Sequence, residues 1–136
     1  DPPIVHQDFT PDNLLVETGT SKLKLVDFNV TREEVSMRTN LVVGKQAFMP
    51  PEQFKGKASS VSDIYALGCT LYFLYQGEEP EPLTVCRIEG KEDAILEEFS
   101  SILSKATALD AAKRYQTAGE LKDKLERLLE KLANNP

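Results

Sequence analysis

Basic residues are scarce in this chain: 16 Lys and Arg face 22 Asp and Glu, a formal net charge of −6. No basic cluster stands out, which argues against a nucleic-acid or anionic-membrane surface. The series Lys122, Lys124, Arg127 and Lys131 alternates with acids and reads as the solvated face of a helix. Cysteine occurs twice, at Cys69 and Cys86, with neither framework nor metal-ligand spacing, so a reducing, cytoplasmic setting fits. The most apolar stretch, Val61 to Gln76, is too short and too polar to span a membrane. The seven glycines, at 19, 44, 56, 68, 77, 90 and 119, contain no Gly-x-Gly. There is no internal repeat, no low-complexity segment and no signal peptide. The first residues are Asp1-Pro2-Pro3 rather than methionine, so a fragment or processed segment is expected and missing targeting signals carry little weight.

What is present supports one domain with a real core: 136 residues, 40% of them hydrophobic. In Val61–Gln76, Ile64, Leu67, Leu71 and Leu74 recur at helical spacing. Ser62 or Asp63 can cap the start by accepting backbone N–H bonds, and Gly77 can end the helix in a left-handed conformation. Tyr65, Cys69, Tyr72, Phe73 and Tyr75 fill the remaining faces, so the helix is expected to be buried on all sides, with Cys69 an inert apolar residue. The rest of the chain must wrap it.

Upstream, Ile4 to Asn13 reads as a loop, because Pro11 removes a backbone donor and biases Thr10 towards an extended conformation. Leu14–Val16 and Lys22–Val26 read as strands joined by a turn at Glu17–Ser21. The hairpin's outer ends bring Asp8, Asn13 and Asp27 to one edge. Oxygen donors of this kind suit Mg²⁺, which takes one or two carboxylates, several waters and substrate phosphates. Downstream, Gly56–Ser60 is a small-residue connection, Glu78–Gly90 a loop, and Glu92–Thr107 a helix with Ile95, Leu96, Phe99, Ile102 and Leu103 on one side. Thr117-x-x-Glu120 is a capping box, opening a last helix whose Leu121, Leu125, Leu128, Leu129 and Leu132 form a packing stripe.

His6-Gln7-Asp8-Phe9-Thr10-Pro11-Asp12-Asn13 resembles the catalytic loop of protein kinases, and Asp27-Phe28-Asn29 their metal-binding Asp-Phe-Gly. Small-molecule phosphotransferases such as aminoglycoside kinases share that Asp…Asn…Asp arrangement. Gly44-Lys45-Gln46-Ala47-Phe48-Met49-Pro50-Pro51-Glu52 is similar to the end of a protein-kinase activation segment. Ser62-Asp63-Ile64-Tyr65-Ala66-Leu67-Gly68 is similar to the start of the long buried C-lobe helix, and Lys113-Arg114-Tyr115 to the site of its structural arginine. The four motifs together point to a bacterial-type Ser/Thr protein kinase.

The resemblance implies a mainly α fold with a small β-hairpin, the C-terminal lobe of a kinase without its N-lobe. Residues 1–29 would hold the catalytic loop and metal-binding hairpin, 30–52 the activation segment and 61–133 the helical core. Asp8 would accept the proton of a substrate hydroxyl attacking ATP. Asn13 and Asp27 would hold Mg²⁺, and Leu15 joins them as a cofactor-binding residue. His6 is expected to pack on Phe28 rather than act as a base, Asp63 to bind catalytic-loop backbone, and Glu52 to pair with Arg114.

Three departures from the family pattern stand out. Gln7 replaces the arginine that binds activation-loop phosphate, so phosphorylation of Thr31, Ser36 or Thr39 is not expected to order that loop through this pocket. Thr10 and Lys45 exchange the family's usual lysine and threonine, which suggests that Lys45 reaches back towards Asp8 as the catalytic cation. Without Gly-x-Gly or an N-lobe lysine, ATP and Mg²⁺ are expected to bind weakly or not at all, and the chain alone to be inactive. The helix that normally precedes the catalytic loop is likewise expected to be absent, which should expose the face around Leu71 and Leu74 and invite self-association. Partners implied for the complete kinase are ATP, a protein substrate and the N-lobe, with no nucleic acid. The alternative is a non-catalytic kinase-like interaction or regulatory module.

Overall fold

A computed structural model describes residues 4–28, 46–90 and 92–135. The expectations placed on Asn29, Thr31, Ser36, Thr39, Gly44 and Lys45 lie outside these residues.

The period-two segments form an antiparallel hairpin, β1 (Leu14–Val16) with β2 (Leu23–Leu25), pairing Leu14 with Leu25, Leu15 with Lys24 and Val16 with Leu23. Lys22 and Val26 fall just outside the second strand. Each still closes one end, through Glu17 N–H to the Lys22 carbonyl (2.8 Å) and Val26 N–H to the Asn13 carbonyl (2.9 Å). A short helix, α1 (Pro51–Phe54), precedes the central helix, α2 (Ser60–Gln76).

The cap of α2 differs from expectation. Ser59 is the N-cap residue, and its N–H donates to Ser62 Oγ at 3.0 Å. Ser62 lies one turn inside the helix, and Asp63 is drawn away to the 6–7 backbone. At the other end Gly77 takes φ 78°, where its N–H reaches the Phe73 carbonyl at 2.8 Å. A left-handed residue of this kind stops the helix.

Burial on all sides holds only for part of α2. Ser62, Ile64, Tyr65, Ala66, Gly68, Cys69 and Thr70 are buried, but Leu74 is 62% exposed and Tyr75 39%. The turn at Gln46–Phe48 and helix α3 (Ala94–Ala106) pack on α2. Towards its C-terminus the cover is thinner, and Tyr75 keeps an edge contact with Phe99 at 5.7 Å between ring centroids. Closest approach comes at Gly68, where a Cβ would lie 2.7 Å from Thr107 Cγ2 and 2.9 Å from Ala106 Cβ.

Helix α3 is capped by Asp93, whose Oδ1 accepts the N–H groups of Ile95 (2.8 Å) and Leu96 (3.1 Å). The last helix, α4 (Ala118–Asn134), starts at Thr117, whose Oγ1 accepts Glu120 N–H at 3.1 Å. Glu120 returns its carboxylate to Gln116 N–H (2.9 Å) instead of Thr117, a capping box displaced by one residue. The leucine stripe packs only in part. Leu121 and Leu128 are buried, but Leu129 is 61% and Leu132 54% exposed. Eight residues after Leu121, Leu129 has rotated about 80° from it at ~100° per residue, and Leu132 sits in the last turn. Two apolar clusters result, one joining Phe48, Tyr65, Cys69, Cys86 and Leu103, the other Ile64, Ile102, Ala106, Tyr115, Leu121 and Leu128.

The segment between α2 and α3 is irregular but tethered. Hydroxyls on one face of α3 read its backbone: Ser100 Oγ accepts Ile88 N–H (2.9 Å), Ser104 Oγ donates to the Cys86 carbonyl (3.3 Å), and Thr107 Oγ1 accepts Cys86 N–H (2.8 Å). Among the described residues no helix is long and apolar enough to cross a membrane.

Candidate active site

The loop 6–13 is fixed from below by α2. Asp63, in the first turn, accepts the backbone N–H of His6 at 2.7 Å and of Gln7 at 3.0 Å, as the resemblance implied. Gln53 from α1 donates to the Gln7 carbonyl at 2.6 Å. Between these bonds Gln7 holds φ 64°, a left-handed conformation that non-glycine residues adopt at a cost and retain at over-determined positions. One helical face further along, the Thr70 hydroxyl lies 2.9 Å from the Ala66 carbonyl and 3.5 Å from that of Phe9.

His6 ties the loop to the hairpin. Asp8 N–H points at His6 Nδ1 (3.2 Å), so that nitrogen is the acceptor, and Nε2 donates to the Val26 carbonyl (2.8 Å). Both nitrogens of a neutral ring are thereby used. The ring is buried and meets Phe28 edge-on at 4.6 Å. This is a structural pin, and no ring nitrogen is left to serve as a base.

Asp8 and Asn13 meet directly. Asn13 Nδ2 donates to the Asp8 carbonyl (2.8 Å) and to Asp8 Oδ2 (3.0 Å). Two oxygen acceptors on that side fix the amide orientation, which leaves Asn13 Oδ1 as the atom open to a hard cation. Asp27 follows Val26, whose N–H is held by the Asn13 carbonyl, and so arrives at the same edge with φ 65° and an exposed side chain. Leu15 is exposed, its strand neighbours on the opposite face of β1. Thr10 is buried, and among the described residues its hydroxyl has no hydrogen-bond partner. Among those residues no group of three or more His, Cys, Asp or Glu could hold a metal alone. One carboxylate beside one amide oxygen fits an ion that fills its shell with water and phosphate, as Mg²⁺ does.

Behind the loop, Arg114 forks onto Glu52, Nη1 to Oε1 at 2.6 Å and Nη2 to Oε2 at 2.9 Å. Its remaining donors reach the carbonyls of Ala108 (2.7 Å), Val61 (3.2 Å) and Leu109 (3.3 Å). Ser62 Oγ adds a third bond to the Glu52 carboxylate at 2.8 Å. Burial opposes ionisation of Glu52, but hydrogen bonds from Arg114, the backbone and Ser62 outweigh it and hold the carboxyl below its ordinary value. The sequence reading did not single out Gln53, Ser62 as a Glu52 ligand, or Thr70. The available signal was weak: Thr70 is polar in an apolar helix, seven residues from Asp63.

A family model described as the protein kinase domain matches residues 1–135. The chain is similar to the serine/threonine-protein kinase PknB of Mycobacterium leprae, 32% identical over 92% of this chain and 23% of that protein. It is 34% identical to the probable serine/threonine-protein kinase PknB of Corynebacterium glutamicum, again over 92% of this chain and 23% of the other. It therefore spans about a quarter of the length of these curated relatives. Among solved structures, "PpkA-294 apo form" superposes with a TM-score of 0.68 at 29% identity, covering 88% of this chain and 46% of that one.

Proposed function

The chain belongs to the protein kinase family, and on that premise we propose that it is the C-lobe of a protein Ser/Thr kinase which, in the complete domain, transfers the γ-phosphate of ATP to a protein hydroxyl. The observation that carries this reading is the Asn13 amide clasping Asp8 at both its carbonyl and its carboxylate, at the mouth of the hairpin. That clasp orients Asp8 to accept the proton of the incoming hydroxyl, while Asp63 and Gln53 hold the backbone on either side of Gln7. Asn13 Oδ1 and the Asp27 carboxylate fit Mg²⁺, which when bound neutralises charge on the phosphates. Leu15 offers an exposed apolar surface to the nucleotide.

Thr10 and Lys45 complete the proposal. The buried Thr10 hydroxyl lacks a partner among the described residues, a position suited to a group arriving from the segment that carries Lys45. Lys45 supplies the cation that a lysine two residues after Asp8 would otherwise provide, and Lys45→Ala in the complete kinase lowers kcat by about 10²-fold or more. The decisive experiment joins the chain to an N-lobe and measures phosphate transfer to a protein substrate. Asp8→Asn is expected to cost about 10²–10⁴-fold in kcat. An Asp8→Asn enzyme of normal rate ends the catalytic reading. The 136-residue chain alone is expected to bind Mg·ATP at about millimolar affinity, near −4 kcal/mol, without turnover. Micromolar affinity by calorimetry contradicts that expectation.

A second reading, a non-catalytic module that self-associates, draws on the exposure of Leu74 and Tyr75 at the end of α2. Sedimentation of the chain beside a Leu74→Asp variant tests it. A dimer abolished by the substitution supports this reading, and a monomer at high concentration refutes it.

A further inference from the structure

Cys69 and Cys86 are free, buried, and placed with their sulfurs 3.9 Å apart. Neither takes part in the site at the hairpin. They are carried by unlike backbone. Cys69 lies in the buried half of α2, whereas Cys86 belongs to the irregular segment held by the hydroxyls of Ser100, Ser104 and Thr107. A disulfide needs an S–S distance of about 2.0 Å. The remaining approach falls to the Cys86 side, whose segment carries no strand ladder to break. The thiols are also unequal. Hydrogen bonding from Cys69 and Thr107 draws the Cys86 thiol below its ordinary value against the effect of burial, and the same bond together with burial pushes Cys69 up.

We propose that Cys69 and Cys86 form a dithiol oxidation site that a hydroperoxide converts to an intrachain disulfide, fastening the segment between α2 and α3 covalently to α2. The Cys86 thiolate, as the stronger nucleophile present, attacks a peroxide oxygen. The O–O bond breaks, leaving a sulfenic acid on Cys86 and releasing hydroxide or alkoxide, which leaves as water or an alcohol on taking up the proton that the Cys86 thiol gave to solvent. Cys69 sulfur then attacks Cys86 sulfur, the S–S bond forms, the S–O bond breaks, and the hydroxide takes the Cys69 proton to leave as water. Two electrons pass from the sulfur pair to the peroxide. Both thiols are buried, so the reaction waits on opening of the segment and is slower than that of an exposed thiol.

The test treats the reduced chain with hydrogen peroxide under native conditions, then denatures, alkylates, digests and weighs the peptides. The expected result is a bridged Cys69–Cys86 peptide pair, lighter by two hydrogens than the free peptides, in a monomeric chain. Both alkylatable thiols are lost and return with dithiothreitol. Cys69→Ser is expected to stop Cys86 at a sulfenic acid trapped by dimedone, and if that variant does not fold, the wild-type measurement decides alone. Two free thiols after treatment, a bridge between two chains, or a bridge formed only in denaturant each overturns the proposal.

Discussion

Every nitrogen of the Arg114 guanidinium group has an oxygen partner, from Glu52, Val61, Ala108 or Leu109; at the hairpin, Leu15, Val16 and Leu23 stand exposed on strands of three residues. The helical half has a finished interior in which even a buried charge is matched. A two-stranded hairpin is marginal by itself, and this one is held at its base by His6 and Asn13. The candidate site lies on the seam. Its backbone is fixed from the finished side by Asp63, and its oxygen donors are presented from the open side. A site built this way can be disturbed from either direction, but with very different penalties.

The largest effect is expected at the ion pair. Arg114→Ala leaves the Glu52 charge partly buried and uncompensated and should cost about 3–5 kcal/mol in urea unfolding. The same pair sets an acid limit. Because the folded Glu52 carboxyl lies below the ordinary 4.5, the unfolded chain binds more protons in that range. The stabilisation is therefore present above 4.5 and is lost as pH falls from there through the lowered folded value. Stability measured against pH should be flatter in Arg114→Ala over that window.

Next comes the seam. Asp63→Ala removes two charge-assisted bonds and should cost about 1.5–3 kcal/mol, with faster amide exchange at His6 and Gln7 as its local mark. If the 6–7 amides exchange as slowly as in the parent, the loop is held from the hairpin and the comparison must be redrawn.

Gly68→Ala should cost about 1–3 kcal/mol by overpacking, because the new methyl meets Thr107 and Ala106. Gly119→Ala in α4, with only Thr117 Oγ1 at 3.7 Å, should instead gain about 0.4–1 kcal/mol. The smallest effect belongs to the hairpin surface: Leu23→Thr should change stability by no more than about 0.5 kcal/mol. A larger loss would mean that the exposed face is covered in solution.

Periodicity carried the elements themselves, since Leu23 and Leu25 alternate with lysines and Ile64, Leu67 and Leu71 recur at helical spacing. The convergence of Asp8 and Asn13 and the pairing of Glu52 with Arg114 were legible because motifs of known order place them, but the Asn13 bonds to Asp8 were not. What pattern alone did not carry were choices settled by distant partners. Asp63 was a fair capping residue until the 6–7 backbone competed for its carboxylate, and Ser59 took the cap. Leu129 looks equivalent to Leu128 in a stripe, yet which of the two is buried depends on where α3 lies. Gln53 gave no local sign of its bond to Gln7, forty-six residues away. The Cys69–Cys86 contact likewise depends on a loop whose path is set by α3 hydroxyls.

Those hydroxyls have a consequence for how freely the sequence can drift. Within the segment, Ser100, Ser104 and Thr107 bond the N–H and C=O groups of residues 86 and 88, so that part of their grip is blind to the side chains of Val85, Arg87 and Glu89. The segment can change its outward chemistry while keeping its path, as cargo on a fixed rail. Only proline at 86 or 88, which takes away the N–H being gripped, derails it.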